Sequence, residues 1–337
     1  MWLDTSEIDT SVSSYVSLWS PEIHVTRVTI RKNLFKAGGH YCESEKRNTR
    51  NSSLQQVGGS SCGEYYKTQL IIIFKGKIRN AVNEVKNVTW IEEKELLGKE
   101  IMELLYEKRL IRTWYRDMPQ GWTLVSGIWS PFYIQLRPLC SFPGLLKKVG
   151  TAIGKMIRQE IPETTKVIGV AMAGIPIAIA IALVEGIPAT FTRKLEGVRT
   201  LNDLQTVITQ YGEHALLEGE LTDSDRLVIV DDLVTQFDSK LIGIQQVKFE
   251  VERRGLRDIN VNAVVVLLDR EQGASDIAKQ HGIALHSLIP FKSKGIGWLA
   301  DKMSTTELTV IEDYLENPEK YQNVELQKDL RNKAEKH

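Results

Sequence analysis

The sequence predicts an α/β fold, a mainly parallel twisted sheet with helices on both faces. Short β-branched apolar runs, at Lys166–Val170, Leu227–Val230 and Val261–Leu268, alternate with segments of helical length. The helical segments that end near Arg254 and His281 are each followed by a glycine, Gly255 and Gly282, the residue that best closes a helix. Strands that alternate with helices return through right-handed crossovers and lie parallel.

In chain order, Leu97, Ile101, Leu104 and Leu105 recur at helical spacing in a stretch that becomes regular from Glu92. Trp122–Leu136 reads as two short strands around a Ser-Gly turn. Leu145–Ile161 is a helix with Leu145, Leu146, Val149, Ile153 and Ile157 on one face. Lys166–Val170 is a strand, and Gly174-Ile175-Pro176 opens the next helix, where proline is tolerated. Thr190–Arg193 is a short strand. Lys194–Glu213 is polar and weakly periodic, the mark of a functional loop or lid. Leu227–Val230, Lys240–Arg254, Val261–Leu268, Ala274–His281 and Ala284–Ile289 continue the alternation, and Glu307–Leu315 is a terminal helix.

Composition bounds the function. The chain has 337 residues, of which 42% are hydrophobic, so a sizeable core forms. A formal net charge of +0 argues against a dedicated nucleic-acid or membrane-surface protein. Cys42, Cys62 and Cys140 are widely spaced and form neither a zinc motif nor a disulfide framework, so a reducing cytoplasm is the expected setting. Asp4, Glu7 and Asp9 interrupt the N-terminus, which lacks the apolar core of a signal peptide. The longest apolar run, Val167–Val184, contains two glycines and a proline and reads as strand, turn and helix, not a membrane span. Three parts are expected: an N-terminal extension over 1–90, a folded domain over 91–321 and a charged, solvated tail over 322–337. The extension is rich in Ser, Asn and Gly between Ser11 and Gly63, and only Gln69–Phe74 looks like a strand. It reads equally as a disordered arm, a small appendage, or sequence ahead of the folded unit.

The chemistry concentrates at Leu227–Lys240, LVIVDDLVTQFDSK. A buried-strand pattern runs into Asp231 and Asp232, then a polar turn, then a helix start. Ligands of open α/β sheets bind at this carboxyl edge. Paired acids there suit sugar hydroxyls or Mg²⁺, and a helix start suits a phosphate; the plain alternative is a solvated turn or helix cap. Adjacent strand residues point to opposite faces, so the acids act together only if the strand ends before them. In Val167–Ala178 the small residues Ala171, Ala173 and Gly174 allow close backbone approach by an anion, or serve only a tight strand-to-helix turn. Arg270, in Asp269–Gly273, offers a planar fork at the same edge, or a surface Asp–Arg pair. Phe132 and Tyr133 could cover a flat heterocycle, or belong to the core.

Taken in order, SGIWSPFYIQLR, GVAMAGIPIA, a loop ending GEHALLEG, VIVDDLVT and LLDREQG resemble the orotate phosphoribosyltransferases, over roughly Ile91–Ile289. The resemblance implies the type I phosphoribosyltransferase fold and transfer of ribose 5-phosphate from phosphoribosyl pyrophosphate to orotate, giving orotidine 5′-monophosphate and pyrophosphate. It implies Mg²⁺ held mainly through the substrate, with no protein ligand assigned, and a homodimer. Asp231 and Asp232 would contact the ribose hydroxyls. Thr235, Gln236, Phe237, Asp238 and Ser239 would cradle the 5′-phosphate, and Ala171, Met172, Ala173 and Gly174 would border the pyrophosphate. Arg193 and Lys194 would contact pyrophosphate, from the neighbouring subunit if the site is shared. Arg270 would bind orotate, with Phe132 and Tyr133 lining the base pocket.

The chain departs from that pattern in places. Gln236-Phe237 stands where the family has two glycines, and Asp238 adds negative charge beside the expected phosphate, unfavourable unless Mg²⁺ or Lys240 compensates. Val125 and Ile128 replace a lysine and an arginine, and Thr209-Gln210-Tyr211-Gly212 replaces Lys-x-His-Gly, leaving His214 or Arg199 as substitutes. Two further readings stay open: a non-catalytic phosphoribosyl pyrophosphate or nucleotide sensor on the same fold, and a phosphoribosyltransferase for another base.

Overall fold

The computed structural model describes residues 19–20, 23–24 and 89–336, apart from 125, 199 and 212–214. The chain forms two compact units, Met1–Ala81 and Val82–His337. In the first, β1 (Trp19–Ser20) pairs antiparallel with β2 (Ile23–His24), Trp19 opposite His24. The expected strand at 69–74, Cys42 and Cys62 lie outside the described residues.

The second unit begins with α1 (Trp90–Glu107). The Thr89 hydroxyl accepts the Glu92 N–H and the Glu92 carboxylate accepts the Thr89 N–H, a capping box that satisfies two end donors. Short strands follow: β3 (Ile111–Thr113), β4 (Trp122–Thr123), β5 (Trp129–Ser130) and β6 (Phe132–Ile134). β3 pairs with β6 and β4 with β5, both antiparallel. Next come α2 (Pro143–Glu160), β7 (Lys166–Gly169), α3 (Gly174–Glu185), β8 (Ala189–Thr192), α4 (Leu201–Tyr211) and β9 (Leu217–Glu218). The series continues through β10 (Arg226–Val234), α5 (Asp238–Arg253), β11 (Asn260–Asp269), α6 (Ala274–Gln280) and β12 (Ala284–Pro290), then α7 (Thr305–Glu316) and α8 (Val324–Ala334).

The central sheet has the order β12-β11-β10-β7-β8-β9 and is parallel except for β9 against β8. Alternation along the strands sorts side chains between two layers. Val228, Val230, Val265 and Leu267 join one core with Ile153 and Ile157 of α2 and Ile177 and Ile181 of α3. Leu227, Ile229, Val264 and Val266 join the other with Ile244 and Val247 of α5 and Ala274 and Ala278 of α6. Both faces are therefore covered, as apolar parallel strands require. α1 closes the β12 edge: a Cβ on Gly98 would lie 3.0 Å from the Leu288 carbonyl, so only glycine allows that approach.

Two segments differ from expectation. Polar Lys194–Glu213 is not a continuous loop, because it contains α4. Leu204 of α4 packs with Leu195, Leu216, Ile242 and Phe249 in a small separate cluster against α5. Residues 322–337 are not only a solvated tail: Asn323 caps α8, and Leu330 and Ala334 are buried on one side of that charged helix. Many charges around Leu330 and Ala334 conceal α8 from periodicity, and polar Asn, Gln and Thr around Leu204, Val207 and Ile208 make the short α4 read as loop.

α5 fastens both ends of the β8–β9 connection. Gln246 Nε2 donates to the Arg193 carbonyl at 2.9 Å, and the Glu250 carboxylate accepts the Leu216 N–H at 2.6 Å. Glu250 is fully buried and also pairs with Arg253 and Arg254, each at 2.8 Å. Removing a buried charge from such a knot leaves its partners unpaired. Glu250→Ala is expected to lower unfolding stability in urea by about 3 kcal/mol and to speed amide exchange at Leu216.

Candidate functional site

The site follows from strand lengths. β7 pairs with β10 only as far as Gly169 opposite Val230, whereas β11 stays paired with β10 to Asp269 opposite Val234. β10 thus outruns one neighbour, and its last residues face an open crevice on that side. The crevice lies where the chain runs outward in opposite directions, through α3 to β8 and through α5 to β11, which is the switch point of an open sheet.

The strand does not stop before the acids. Asp231 and Asp232 are β10 residues, and alternation separates them. Asp231 follows Leu227 and Ile229 toward α5, where Lys240 meets its Oδ2 at 2.8 Å. Its Oδ1 accepts the Asp232 N–H at 2.9 Å. Asp231 is 6% exposed and Lys240 is 4% exposed. Asp232 Oδ1 accepts the Leu233 N–H at 2.8 Å, and the Asp232 and Asp231 carboxyls lie close enough to share a proton; no N–H or O–H donor among the described residues reaches Asp232 Oδ2. Burial, and then the neighbouring Asp231 carboxylate, push Asp232 up to about 7, and Lys240 opposes that rise.

Across the crevice the turn 170–173 links β7 to α3. The Ala171 N–H donates to Thr192 Oγ1 at 2.9 Å, and the Ala171–Met172 peptide is cis. Gly174 is a packing requirement: a Cβ there would lie 2.3 Å from the Val230 carbonyl and 3.2 Å from Asp231 Oδ1. The helix start presses directly against the acid-bearing strand, which is the tight-turn use expected of these small residues.

A cavity of about 300 Å³ occupies the crevice. Asp231, Asp232, Ala171, Met172, Ala173, Ser239 and Tyr133 line it, together with Gln135, Arg137 and Lys240. The sequence reading singled out none of these last three for the site, although Lys240 was noted beside Asp238. Arg137 ends the quoted SGIWSPFYIQLR run, so a lone basic residue closing an aromatic strand was the available signal. Nothing local marks Lys240, because its role depends on the strand beside it.

Several expected residues lie elsewhere. Phe237 is fully buried with Val170, Val234 and Ile244, so it is a core residue and not a lining of the phosphate turn. Gln236 and Asp238 are exposed and Thr235 is half-buried. Phe237 is the N-cap of α5 and gives no side-chain cap, which leaves the first-turn N–H groups for an external acceptor. Phe132 is also core, packed on Phe291 and Tyr314, whereas Tyr133 is 37% exposed and stacks on Trp122. Arg193 lies 3.4 Å from Glu218 on the sheet's outer strand, and Lys194 is exposed. Neither lines the cavity.

Arg270 stands behind the cavity wall. Its guanidinium carbon lies 5.4 Å from the Phe132 ring centre, and its backbone N–H donates to the Val234 carbonyl at 3.0 Å. Its Nε is buried without a hydrogen-bond partner among the described residues, and burial lowers its proton affinity. A buried N–H left without an acceptor is costly unless a ligand oxygen completes it.

A mainly parallel sheet carrying an acid pair and a helix start at its switch point defines an open α/β fold with a ligand-sized crevice. Comparison with known proteins narrows this. No family model matches the chain. The orotate phosphoribosyltransferase of Methanocaldococcus jannaschii is 30% identical over 169 residues, 50% of this chain and 84% of the relative. That of Methanothermobacter thermautotrophicus is 28% identical over 59% of this chain and 94% of the relative. The solved UMP synthase of Leishmania donovani shares the fold, with a TM-score of 0.51 and 23% identity over 65% of this chain and 42% of that one. The chain belongs to the orotate phosphoribosyltransferase family.

The raised Asp232 carboxyl sets a pH dependence. A carboxyl that holds its proton in the folded state at pH values where the unfolded chain has lost it makes the fold less stable as pH rises toward 7. Asp232→Asn is therefore expected to raise Tm by roughly 2–4 °C at pH 8, with little change at pH 4, in a scanning calorimeter without ligand.

Proposed function

We propose that the chain transfers ribose 5-phosphate from phosphoribosyl pyrophosphate to orotate, giving orotidine 5′-monophosphate and pyrophosphate, a step of pyrimidine biosynthesis. The acid pair in a cavity at the β7–β10 switch point carries this reading, and family membership supports it. Asp232 is the acid with an open oxygen and suits a ribose hydroxyl. The turn 171–174 borders the pyrophosphate end. The uncapped start of α5, with Ser239, suits the 5′-phosphate through backbone N–H groups, despite the loss of the two glycines.

The reaction needs no protein nucleophile. Pyrophosphate leaves as the ribose carbon becomes cation-like, so nearby carboxylates lower the energy of that carbon. Mg²⁺ would neutralise the leaving pyrophosphate. Among the described residues no cluster of three or more His, Cys, Asp or Glu is poised to hold a metal. In this reading the ion is held mainly through substrate oxygens, as Mg²⁺ commonly is. Arg270, which does not line the cavity of the free protein, would turn its unpartnered Nε–H from beside the Phe132 ring to the orotate carboxylate, and Tyr133 lines the base side.

The active unit in this proposal is a homodimer. Arg193 and Lys194 lie outside the cavity of their own chain, as residues serving a partner's cavity would. α3 is apolar all round, and Ile179 and Leu183 are 44% and 81% exposed, continuing the exposed Met172 beside the site. A helix apolar on every face is normally buried, and a second copy supplies the missing cover. No described helix is long and apolar enough to cross a membrane.

One departure favours a second reading, a sensor that binds phosphoribosyl pyrophosphate without turnover: the catalytic segment has Tyr211 where the family has histidine. Incubation with orotate, phosphoribosyl pyrophosphate and Mg²⁺ decides between them. Loss of orotate absorbance is expected; retained donor binding with no loss would establish the sensor. Arg270→Leu is expected to raise the KM for orotate at least tenfold while leaving the KM for the donor within about threefold, consistent with loss of one charge-assisted contact of about 1.5–3 kcal/mol.

A further inference from the structure

The cavity contains a buried cation with a complete set of partners. Lys240 sits in the first turn of α5 and lines the cavity while only 4% exposed. An ammonium has three protons, and Lys240 Nζ has three acceptors. These are Asp231 Oδ2 at 2.8 Å, the Leu233 carbonyl at 2.5 Å and Ser239 Oγ at 3.2 Å. No proton remains for a substrate phosphate unless one of these contacts breaks.

The contacts form a chain. Lys240 holds one oxygen of Asp231, and the other accepts the Asp232 N–H. Both Asp231 oxygens are thereby committed. Asp232 ties Oδ1 to the Leu233 N–H, and Lys240 holds the carbonyl of that same Leu233. What remains open is Asp232 Oδ2.

We propose that Lys240 is a positioning residue: by fixing Asp231 and Leu233 on either side of Asp232, it aims the free Asp232 oxygen at a sugar hydroxyl of the substrate. Without Lys240, Asp231 is a buried carboxylate with no counter-ion beside a second carboxylate. Such a group either takes up a proton or turns toward water in the cavity, and each outcome releases the Asp232 backbone. The other polar groups here do not replace the ammonium. Arg137 and Tyr133 line the cavity from the β6 side and make no contact with Asp231 among the described residues, and Asp238 in the same turn of α5 is exposed and negative.

The identity of the sugar rests on the function proposed above, and the test separates the two. Ribose 5-phosphate and 2-deoxyribose 5-phosphate carry the same phosphate and differ by one hydroxyl. Calorimetric titration of the full chain at pH 8, where the Asp232 carboxyl is ionised, is expected to show about tenfold tighter binding of the ribose compound, the worth of one hydrogen bond to a charged acceptor. Lys240→Met is expected to erase that preference while weakening 2-deoxyribose 5-phosphate by no more than about threefold, and Lys240→Arg to restore it. Lys240→Gln, which keeps a donor without charge, serves if the methionine variant fails to fold and is expected to lose the preference too. A neutral variant that keeps the tenfold preference, or that loses both ligands equally, overturns the proposal. Wild-type protein that prefers ribose 5-phosphate but gives no orotate turnover sinks the enzymatic reading alone.

Discussion

The ladder between β10 and β7 ends at Gly169 and Val230, while the ladder between β10 and β11 continues to Val234 and Asp269. This unequal pairing makes the site. With β7 gone, the turn 170–173 and the start of α3 drop into the vacated edge, and Gly174 is pressed against the Val230 carbonyl. With β11 still paired, Asp231 and Asp232 keep strand geometry: Asp231 is held by Lys240, Asp232 by the Leu233 N–H, and both edge the same cavity. The cavity is thus floored by a rigid strand, and its polar groups are set by register more than by loop conformation.

α5 is the second organising element. Its first turn supplies Lys240 and the uncapped N–H groups, and its last turns hold Glu250, Arg253 and Arg254. Through Gln246 and Glu250 it grips both ends of the segment that carries Arg193, Lys194 and α4. Phe237 anchors its start in the core. Gln236 and Phe237 stand where the resembling family has two glycines, and Phe237 fastens the helix from below, so the turn is held by packing. One helix therefore ties the acid pair to the connection that, in the dimer proposed above, would serve a neighbouring site.

Much of this was legible from residues. Apolar runs located β7, β10, β11 and β12, and the acid pair marked the edge where the cavity lies, because buried-strand patterns are local signals. The end of β10 was misplaced, since two carboxylates interrupt the apolar run, although Leu233 and Val234 resume it. Phe237 and Phe132 were drawn toward ligand roles by their motifs, whereas tertiary packing takes both into the core. α4 and α8 were missed because polar or charged residues surround the few apolar ones that anchor them. Lys240 could not be assigned from sequence, as only the neighbouring strand brings Asp231 to its ammonium.

Hydrogen–deuterium exchange of the full chain, with and without phosphoribosyl pyrophosphate and Mg²⁺, tests most directly whether the edge between β7 and β10 is the binding site. Protection is predicted at 170–174 and 231–241, with β12 and α1 unchanged. Protection confined to other segments, with those two exchanging as in the free protein, would contradict it.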